Sequence, residues 1–259
     1  KPSALLKSDI YTPIFVGADA NNKCKDGILS KKDQEWMNKN LIRDDNGKNI
    51  SKLNRYFNEM SAIYWAWKNQ DELNNPEYIG LMHYRRHFIF NEKNYSKKCW
   101  LLNSPVYCYS WMNKKYLSLL EERYVKKLIN KYDIICSKLY NANNLLDGKY
   151  YRNSKERFCE IARVSPVWYE KMENIIIKNY PEYLSEIHYL SKNPNHYLCN
   201  MFVMKKELFD KYCEFSFDVL FKIYNEFKDE KLDIWQTRAI GFLAEFLTSM
   251  FISKYKLQN

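Results

Sequence analysis

Apolar residues along this chain follow two spacings, one typical of strands and one typical of helices. Short, mostly apolar runs predict strands or extended segments at Tyr11–Ala18, Tyr78–Met82, Tyr132–Cys136 and Tyr197–Met204. Segments with apolar residues every three or four positions predict helices at Leu53–Asn69, Asn113–Lys131, Pro166–Asn179, Lys205–Phe227 and Ile234–Lys254. Because strands and helices alternate, we expect an α/β fold with helices flanking a mostly parallel central sheet. No composition shift marks a linker, so residues 1–259 are expected to form one domain.

Composition excludes several classes of protein. The chain has 46% hydrophobic and 28% charged residues and only 6 Gly and 7 Pro, which is typical of a globular protein and not of a low-complexity one. No run of about 18 apolar residues occurs, so no membrane span is predicted. Seven cysteines without a CxxC pair indicate free thiols in a reducing cytoplasm, and no zinc-binding pattern is present.

The net charge of +10 favours anionic partners, which include phosphorylated small molecules, an anionic membrane surface and nucleic acid. The basic residues are mostly Lys, spread along the chain and interleaved with Asn. No recognised nucleic-acid-binding module accompanies them. We therefore expect no nucleic-acid partner. Binding to random oligonucleotides with a steep salt dependence would instead indicate a nucleic-acid-binding protein.

The segment YIGLMHYRRHFIF, residues 78–90, places cationic side chains directly after a predicted strand. In an open α/β sheet, ligands bind outside the carboxyl ends of the strands. Arginine forks match phosphate oxygens in pairs and stay charged at any relevant pH. We hypothesise that this strand end, with His83, Arg85 and Arg86, binds the pyrophosphate of a nucleotide-sugar. The alternative is an edge segment whose arginines pair with surface carboxylates.

Five other positions are candidates from residue type and local sequence alone. Lys52 and Asn54 lie at the predicted start of a helix, after Ser51 as its expected N-cap, where an anion would meet a cation and free N–H groups. Gly17 ends the first extended segment, where the backbone could approach a ligand. Glu245 lies within an apolar helix, so it must be paired or functional. The turn that contains His196 predicts an exposed imidazole.

Five segments, taken in order and spacing, resemble one protein family. They are DDNGKNISKLN (44–54), YWAWKN (64–69), YIGLMHYRRHF (78–88), NMFVMKKELFDKYC (200–213) and GFLAEFL (241–247). The family comprises bacterial glycosyltransferases of capsular-polysaccharide and O-antigen synthesis, catalogued as domain of unknown function 4422 and later as glycosyltransferase family 111. The resemblance extends from about Tyr11 to the last predicted helix.

The resemblance implies a variant of the GT-A fold. It implies transfer of a sugar from a UDP-sugar donor to a hydroxyl of a glycan or lipid-linked oligosaccharide acceptor. One branch looks like a β-galactofuranosyltransferase that uses UDP-galactofuranose with inversion. The implied location is the cytoplasm, and peripheral contact with the inner membrane stays open. A non-catalytic carbohydrate- or nucleotide-binding protein of the capsule machinery is the alternative, which an assay of UDP release would separate from an enzyme.

The chain departs from the pattern of related transferases in three places. An ordinary GT-A site holds a divalent metal with an Asp-x-Asp motif, whereas His83-Tyr84-Arg85-Arg86 contains no acid. We therefore expect cationic side chains to neutralise the leaving UDP without a metal cofactor, although use of Mn²⁺ or Mg²⁺ stays open. Phe246 replaces the arginine of the family's last motif, which puts donor affinity or sugar identity in doubt. The family pattern also begins before this chain does, and if that first strand is absent the uridine pocket is incomplete.

The resemblance and the residue chemistry together nominate site residues. An inverting transfer needs a base for the acceptor proton, and the catalytic candidates are Glu245, His83, Asp44 and Asp45. Glu245 could instead form an ion pair with Arg85, Arg86 or Arg238, and His83 could be a satisfied core histidine. The expected nucleotide-sugar-binding residues are Arg85, Arg86, Tyr84, Lys52, Asn54, Gly17 and Asn200. Asn200 could equally cap a turn.

Overall fold

The computed structural model of the chain describes residues 6–19, 30–84, 86–91, 114–143 and 149–256. The strands are β1 Ile14–Phe15, β2 Ile42–Arg43, β3 Tyr78–Leu81, β4 Ile134–Cys136 and β5 Phe202–Lys205. The helices are α1 Lys31–Asn40, α2 Asn54–Phe57, α3 Met60–Lys68, α4 Lys114–Leu117, α5 Glu122–Ile129, α6 Ser154–Ala162, α7 Val167–Asn179, α8 Leu184–Lys192, α9 Lys206–Phe227 and α10 Ala239–Lys256. Short 3₁₀ turns occupy Ser51–Leu53, Gln70–Leu73, Ser118–Leu120, Pro181–Tyr183 and Gln236–Arg238. The expected α/β class is confirmed. No described helix is both long and apolar enough to cross a membrane.

The strands form two small sheets. β1 pairs with β2 in parallel, and the larger sheet has the order β3-β5-β4 with both pairings antiparallel. The expected mostly parallel central sheet is therefore wrong for the described residues. Alternation predicts parallel pairing only where each helix crosses between neighbouring strands. Between β4 and β5, helices α6, α7 and α8 pack on one another and on α9 and α10, so they do not fix the strand direction.

The antiparallel sheet still brings two strand ends together. β3 and β4 both run against β5, so they run in the same direction as each other. Leu81 and Cys136, at or near their carboxyl ends, both pair with Phe202, the first residue of β5. The residues after β3 therefore lie beside the segment that leads into β5, and this edge holds most of the candidate site.

The sheet separates two hydrophobic cores. Phe202 and Met204 of β5 face the larger core, which includes the buried faces of α3, α7, α9 and α10. Val203, between them, packs against a smaller cluster that includes Phe88 and Met201. This alternation follows from the two-residue period of side chains along a strand. It fixes which face of β5 looks toward α10.

Two predicted helices match the structure closely, and two others are interrupted. Helices α7 and α9 begin one residue after the predicted starts and end where predicted. The predicted helix Leu53–Asn69 is divided by Asn58, whose φ is 49°, into a 3₁₀ turn, α2 and α3. The predicted helix Asn113–Lys131 is divided at Glu121, which has extended backbone angles. Helix α6 was not predicted, and the segment Asn91–Met112 lies outside the described residues apart from Asn91.

Candidate active site

The segment that enters β5 is the structural centre of the site. Cys199 and Asn200 both have positive φ angles, of 71° and 50°. Two hydroxyls of α10 hold this segment in place. Thr248 Oγ1 donates to Asn200 Oδ1 at 2.9 Å, and Ser249 Oγ accepts the Tyr197 N–H at 2.8 Å. A non-glycine residue with left-handed backbone costs on the order of 1–2 kcal/mol, so the surrounding packing and hydrogen bonds must impose this conformation.

Asn200 links α10 to Glu59, a residue that the sequence analysis missed. Asn200 is fully buried, and its Nδ2 donates to Glu59 Oε1 at 2.8 Å and to the Gly241 carbonyl at 3.4 Å. Because Thr248 donates to Asn200, Tyr212 must be the donor to Thr248 Oγ1, at 2.8 Å. Both ends of the Asn200 amide are therefore used within the protein. This favours a positioning role over direct contact with a sugar, which stays a prediction.

Glu59 is one of two carboxylates that influence each other in this site. Burial raises the pKa of Glu59 above its ordinary value, the charge on His83 opposes that rise, and the charge on Glu245 adds to it. Both its burial and the neighbouring carboxylate therefore favour the neutral form of Glu59. Glu59 follows Asn58, where the predicted helix breaks. Asn58 was the available signal, because Asn tolerates positive φ better than most residues.

Glu245 lies on α10 and faces a buried histidine. Its side chain is 14% exposed, and its Oε2 lies 3.6 Å from His196 Nε2. His196 is fully buried, so the expectation that it is exposed is wrong. The ring stacks near Phe246 with 4.6 Å between ring centres, and the backbone of His196 pairs with Tyr140. Among the described residues the partner of Glu245 is therefore a histidine and not Arg86 or Arg238. Phe246, at the departure from the family motif, packs inward and is also fully buried.

The hydrogen bonds of His196 define which nitrogen faces Glu245. Nδ1 lies 3.0 Å from the Pro194 carbonyl, which can only accept, so Nδ1 carries a hydrogen. Nε2 has no hydrogen-bond partner within the described structure and points toward the carboxylate. At 3.6 Å the contact is longer than a hydrogen bond. His196 Nε2 and the Glu245 carboxylate therefore face each other without a hydrogen bond.

The turn after β3 brings His83 and Arg86 to the same edge. The backbones of these two residues exchange hydrogen bonds of 3.0 and 3.3 Å. His83 Nε2 lies 2.7 Å from the Cys199 carbonyl, so it is the donor. Burial raises the pKa of Cys199 to about 12, and the nearby charge of Arg86 partly opposes this. Arg86 is exposed, and Tyr84 is 64% exposed.

Arg85, which was expected to bind diphosphate, lies outside the described residues. Its predicted role stays a prediction.

Asp44 is a buried hub and not an exposed carboxylate. It is fully buried, and its two oxygens accept hydrogen bonds from two backbone N–H groups and two hydroxyls. The donors are Gly17 N at 2.8 Å, Ala18 N at 2.9 Å, Ser51 Oγ at 2.7 Å and Ser61 Oγ at 2.7 Å. Ser51 is therefore a partner of Asp44, and Ile50 occupies the N-cap position that was expected for it. A catalytic role for Asp44 would require the release of at least one of these bonds.

Asp45 and Lys52 point elsewhere. Asp45 accepts a hydrogen bond from Arg43 Nε at 2.9 Å, and this bond is the main cause that lowers the pKa of Asp45. The Lys52 side chain is 72% exposed, and its only ion-pair contact in the described chain is Asp19 at 3.9 Å. Their predicted roles with a nucleotide-sugar stay predictions, without a described contact to Glu59 or Glu245.

Gly17 and Asn54 pack against each other. Gly17 has a φ of 68°, and a Cβ at this position would overlap Asn54 Oδ1. Asn54 Nδ2 donates to the Asn58 carbonyl at 2.7 Å and to Ser61 Oγ at 3.0 Å. The close approach that glycine permits here is therefore made by Asn54. Both hydrogens of the Asn54 amide are therefore used within the protein.

No three His, Cys, Asp or Glu side chains of the described chain are grouped so that they could hold a metal ion. Two surface cavities, of about 390 and 320 Å³, lie near the ends of α6 and α7. None of their lining residues belongs to the cluster around Asn200.

Comparisons with known proteins agree with this architecture. The model of the family described as a domain of unknown function, DUF4422, matches residues 1–256. The chain belongs to this family. No curated protein matches it. The chain is similar to the apo structure of the WbbM bifunctional glycosyltransferase, with 28% sequence identity and a TM-score of 0.81.

The match to WbbM covers all of this chain but only 42% of that protein. The chain thus spans less than half the length of this structural relative. The family resemblance seen in the sequence and the α/β fold like that of a glycosyltransferase are both confirmed.

Proposed function

We propose that this chain is a glycosyltransferase that moves a sugar from a UDP-sugar to a hydroxyl of a bacterial surface glycan. The observation that carries this proposal is the pair Glu59 and Glu245 beside the cationic turn of His83 and Arg86. The likeness to a bifunctional glycosyltransferase over the whole chain supports the same reaction class. Capsule, O-antigen or lipooligosaccharide synthesis at the cytoplasmic face of the inner membrane is the proposed setting, and UDP-galactofuranose or another UDP-hexose is the proposed donor.

Glu245 is the proposed general base. Burial raises the pKa of Glu59 and so favours its neutral form, and Glu245 is the carboxylate that we assign as the base. Glu245 is also partly exposed, as a base that meets an acceptor must be. In an inverting transfer, Glu245 takes the proton of the acceptor hydroxyl, the oxygen bonds to the anomeric carbon, and the carbon–phosphate oxygen bond breaks with its electrons leaving on UDP. Asn200 holds Glu59 through the 2.8 Å hydrogen bond.

The proposed role of Arg86 is to neutralise the charge that develops on the leaving diphosphate. Arg86 is exposed, and no carboxylate of the described residues pairs with it, so its donors are available. Guanidinium groups bind phosphate oxygens in pairs and need no metal to do so. Arg85 and Tyr84 are proposed to act beside it. Activity is accordingly expected to survive excess EDTA, and a strict requirement for Mn²⁺ or Mg²⁺ would contradict this part of the proposal.

The test is an assay of UDP release from a panel of UDP-hexoses and UDP-galactofuranose. Glu245→Gln should lower kcat by about 10²–10⁴-fold, because a general base contributes that much. Binding of UDP should stay unchanged, since the proposal assigns the diphosphate to Arg86 and not to Glu245. Glu170→Gln is the matched control, because Glu170 lies on α7 in an exposed pair with Lys155. UDP binding without release from any donor, in the wild type, would favour the non-catalytic alternative.

A further inference from the structure

Two arginines stack on one tryptophan near the start of α10. Arg163 Cζ lies 5.3 Å and Arg238 Cζ lies 5.0 Å from the centre of the Trp235 ring. Arg238 also lies 5.4 Å from the Phe242 ring. Neither guanidinium forms an ion pair with a carboxylate of the described residues. Stacking uses the face of a guanidinium and leaves its in-plane N–H donors free to bind an oxyanion.

Hydrogen bonds fix this corner of the molecule. Trp235 Nε1 donates to the Ile161 carbonyl in α6, and Gln236 Nε2 donates to the Arg163 carbonyl at 2.9 Å. Asp233 Oδ1 accepts the backbone N–H groups of Trp235 and Gln236, each at 2.7 Å. Arg163 itself has a positive φ of 56° at the end of α6. The arginines are therefore held on a braced corner and not on an unsupported loop.

A cavity adjoins the same corner. Arg163 lines a concavity of about 320 Å³ together with Trp168, Phe227, Leu232, Lys231 and Glu230. This volume is at the lower end of the range for small-molecule pockets. Its walls are partly apolar, and its two cations exceed its one acid. Asp233 does not line this cavity, and its Oδ1 accepts two backbone N–H groups.

The corner leads toward the carboxylate pair. Arg238, Phe242 and Glu245 are spaced i, i+4 and i+7, so they lie on one side of the α10 entry, and Arg238 and Glu245 are about 10 Å apart along the axis. The Arg238 carbonyl also accepts a bond of 3.5 Å from Asn58 Nδ2, next to Glu59. The diphosphate is assigned to the turn beside Cys199. This corner approaches the carboxylates from a different element, the start of α10.

We infer that the Arg163–Trp235–Arg238 corner, with its cavity, is an acceptor subsite for an anionic sugar. The inference rests on the proposed function and specifies its acceptor. A carboxylate or phosphate carried on a sugar residue is bound by the free edges of the two guanidiniums. The ring of that sugar occupies the cavity beside Arg163. The following sugar extends along Phe242 and presents its hydroxyl to Glu245.

The experiment measures binding of three probes to the full chain by calorimetry, without donor. The probes are cellobiouronic acid, its uncharged methyl ester, and cellobiose 6′-phosphate. At least one charged probe should bind about tenfold more tightly than the methyl ester, as expected for one charge-assisted contact. The stronger of the two identifies the anionic group. Arg163→Gln and Arg238→Gln should each remove most of that preference.

Arg123→Gln is the matched control. Arg123 also stacks on an aromatic ring, with its Cζ 4.9 Å from the centre of Tyr124, but it already pairs with Glu121 at 2.7 Å. This variant should leave the preference unchanged. Equal binding of charged and uncharged probes, or an unchanged preference in both Arg163→Gln and Arg238→Gln, would overturn the inference.

A second measurement separates failure of the subsite from failure of the proposed function. UDP release to water, without any glycan, should be the same in Arg163→Gln and wild type, because hydrolysis uses no glycan acceptor and therefore does not need the subsite. UDP release without charge preference would leave the function standing and the subsite wrong. Charge preference without UDP release from any donor would contradict the function and leave an anionic-glycan binding surface.

Discussion

Asp44→Asn tests whether Asp44 is a structural hub or a catalytic base. The substitution keeps the shape of the side chain and replaces one acceptor oxygen with an NH₂ group. Each carboxylate oxygen accepts one backbone N–H and one hydroxyl, from Ala18 and Ser51 on one side and Gly17 and Ser61 on the other. Whichever way the amide turns, its NH₂ group faces two donors.

The expected loss of stability follows from these contacts. A serine hydroxyl can rotate and accept from the new NH₂ group, but a backbone N–H cannot. One buried N–H is therefore left without an acceptor, at a cost of about 1–3 kcal/mol, and the remaining bonds lose their charge assistance. The total is about 2–4 kcal/mol, a large fraction of the 5–15 kcal/mol that typically separates folded from unfolded states.

The assay is urea unfolding followed by tryptophan fluorescence. The midpoint should fall for Asp44→Asn with the slope unchanged, because the surface exposed on unfolding is the same. Asp45→Asn is the matched control at the next position. Its carboxylate is paired with Arg43 near the surface, so its loss should cost less than about 1 kcal/mol.

A different outcome would refute the hub. If Asp44→Asn unfolds at the same urea concentration as wild type yet loses turnover, the four hydrogen bonds of Asp44 do not contribute measurably to stability. Asp44 would then belong with the catalytic candidates. Loss of stability with turnover retained, at a temperature where the variant is folded, would place Asp44 outside the chemistry.

Three further predictions concern the candidate site. Arg86→Ala should weaken UDP binding by about 1.5–3 kcal/mol if its guanidinium makes a charge-assisted contact, and calorimetry with an unchanged affinity would contradict this. Because burial raises the pKa of Glu59, the folded state keeps a proton that the unfolded state has lost, and stability falls as pH rises above the ordinary glutamate value, about 4.3. In Glu59→Gln, the unfolding free energy should therefore fall less steeply with pH between about pH 4.3 and the raised pKa. If the urea midpoints of both proteins depend on pH with the same slope, this prediction is wrong. Gly241→Ala places a Cβ against Asn58 Nδ2 and should cost about 1–3 kcal/mol in unfolding free energy. Adding Asn58→Ala should recover part of that loss, and no recovery would show that the clash is not the cause.

The sequence predicted helices best where an apolar stripe continues without any residue of non-helical backbone angles. Helix α9 buries Phe209, Tyr212, Val219, Ile223 and other residues of one stripe, and its predicted bounds differ from the structure by one residue. The stripe from residue 53 to residue 69 looked equally regular. It conceals a break because Asn58 takes a positive φ, and periodicity does not report φ.

The direction of the sheet could not be predicted from alternation alone. The three helices between β4 and β5 pack as a layer with α9 and α10. The crossover rule for parallel strands therefore does not predict the direction of β5. The expectation about strand ends nevertheless placed His83 correctly at the sheet edge, because β3 and β4 share a direction. That result depends on β5 lying between them.

Only part of the site was predicted from the sequence: Glu245 was identified and Glu59 was not. Glu245 could be singled out because an acid within an apolar helix is costly unless it has a partner, but its partner His196 comes from a remote turn. Glu59 gave no such signal, since in a continuous helix it would be an ordinary surface acid. Its place in the site depends on the break at Asn58, which redirects the chain.

Residues with positive φ angles and helix α10 together form this site. Asn58 lies against Gly241, whose carbonyl accepts a bond from Asn200, and Asn200 in turn binds Glu59. Both asparagines have positive φ angles. Asn58 Nδ2 donates to the Arg238 carbonyl just before α10, and Asn200 bonds Gly241 and Thr248 of α10. Because they share this support, substitutions at Asn58, Asn200 and Gly241 should not have additive effects on turnover. The residues around Glu59 come from three separate parts of the chain, which is why no single stretch of sequence could reveal its place in the site.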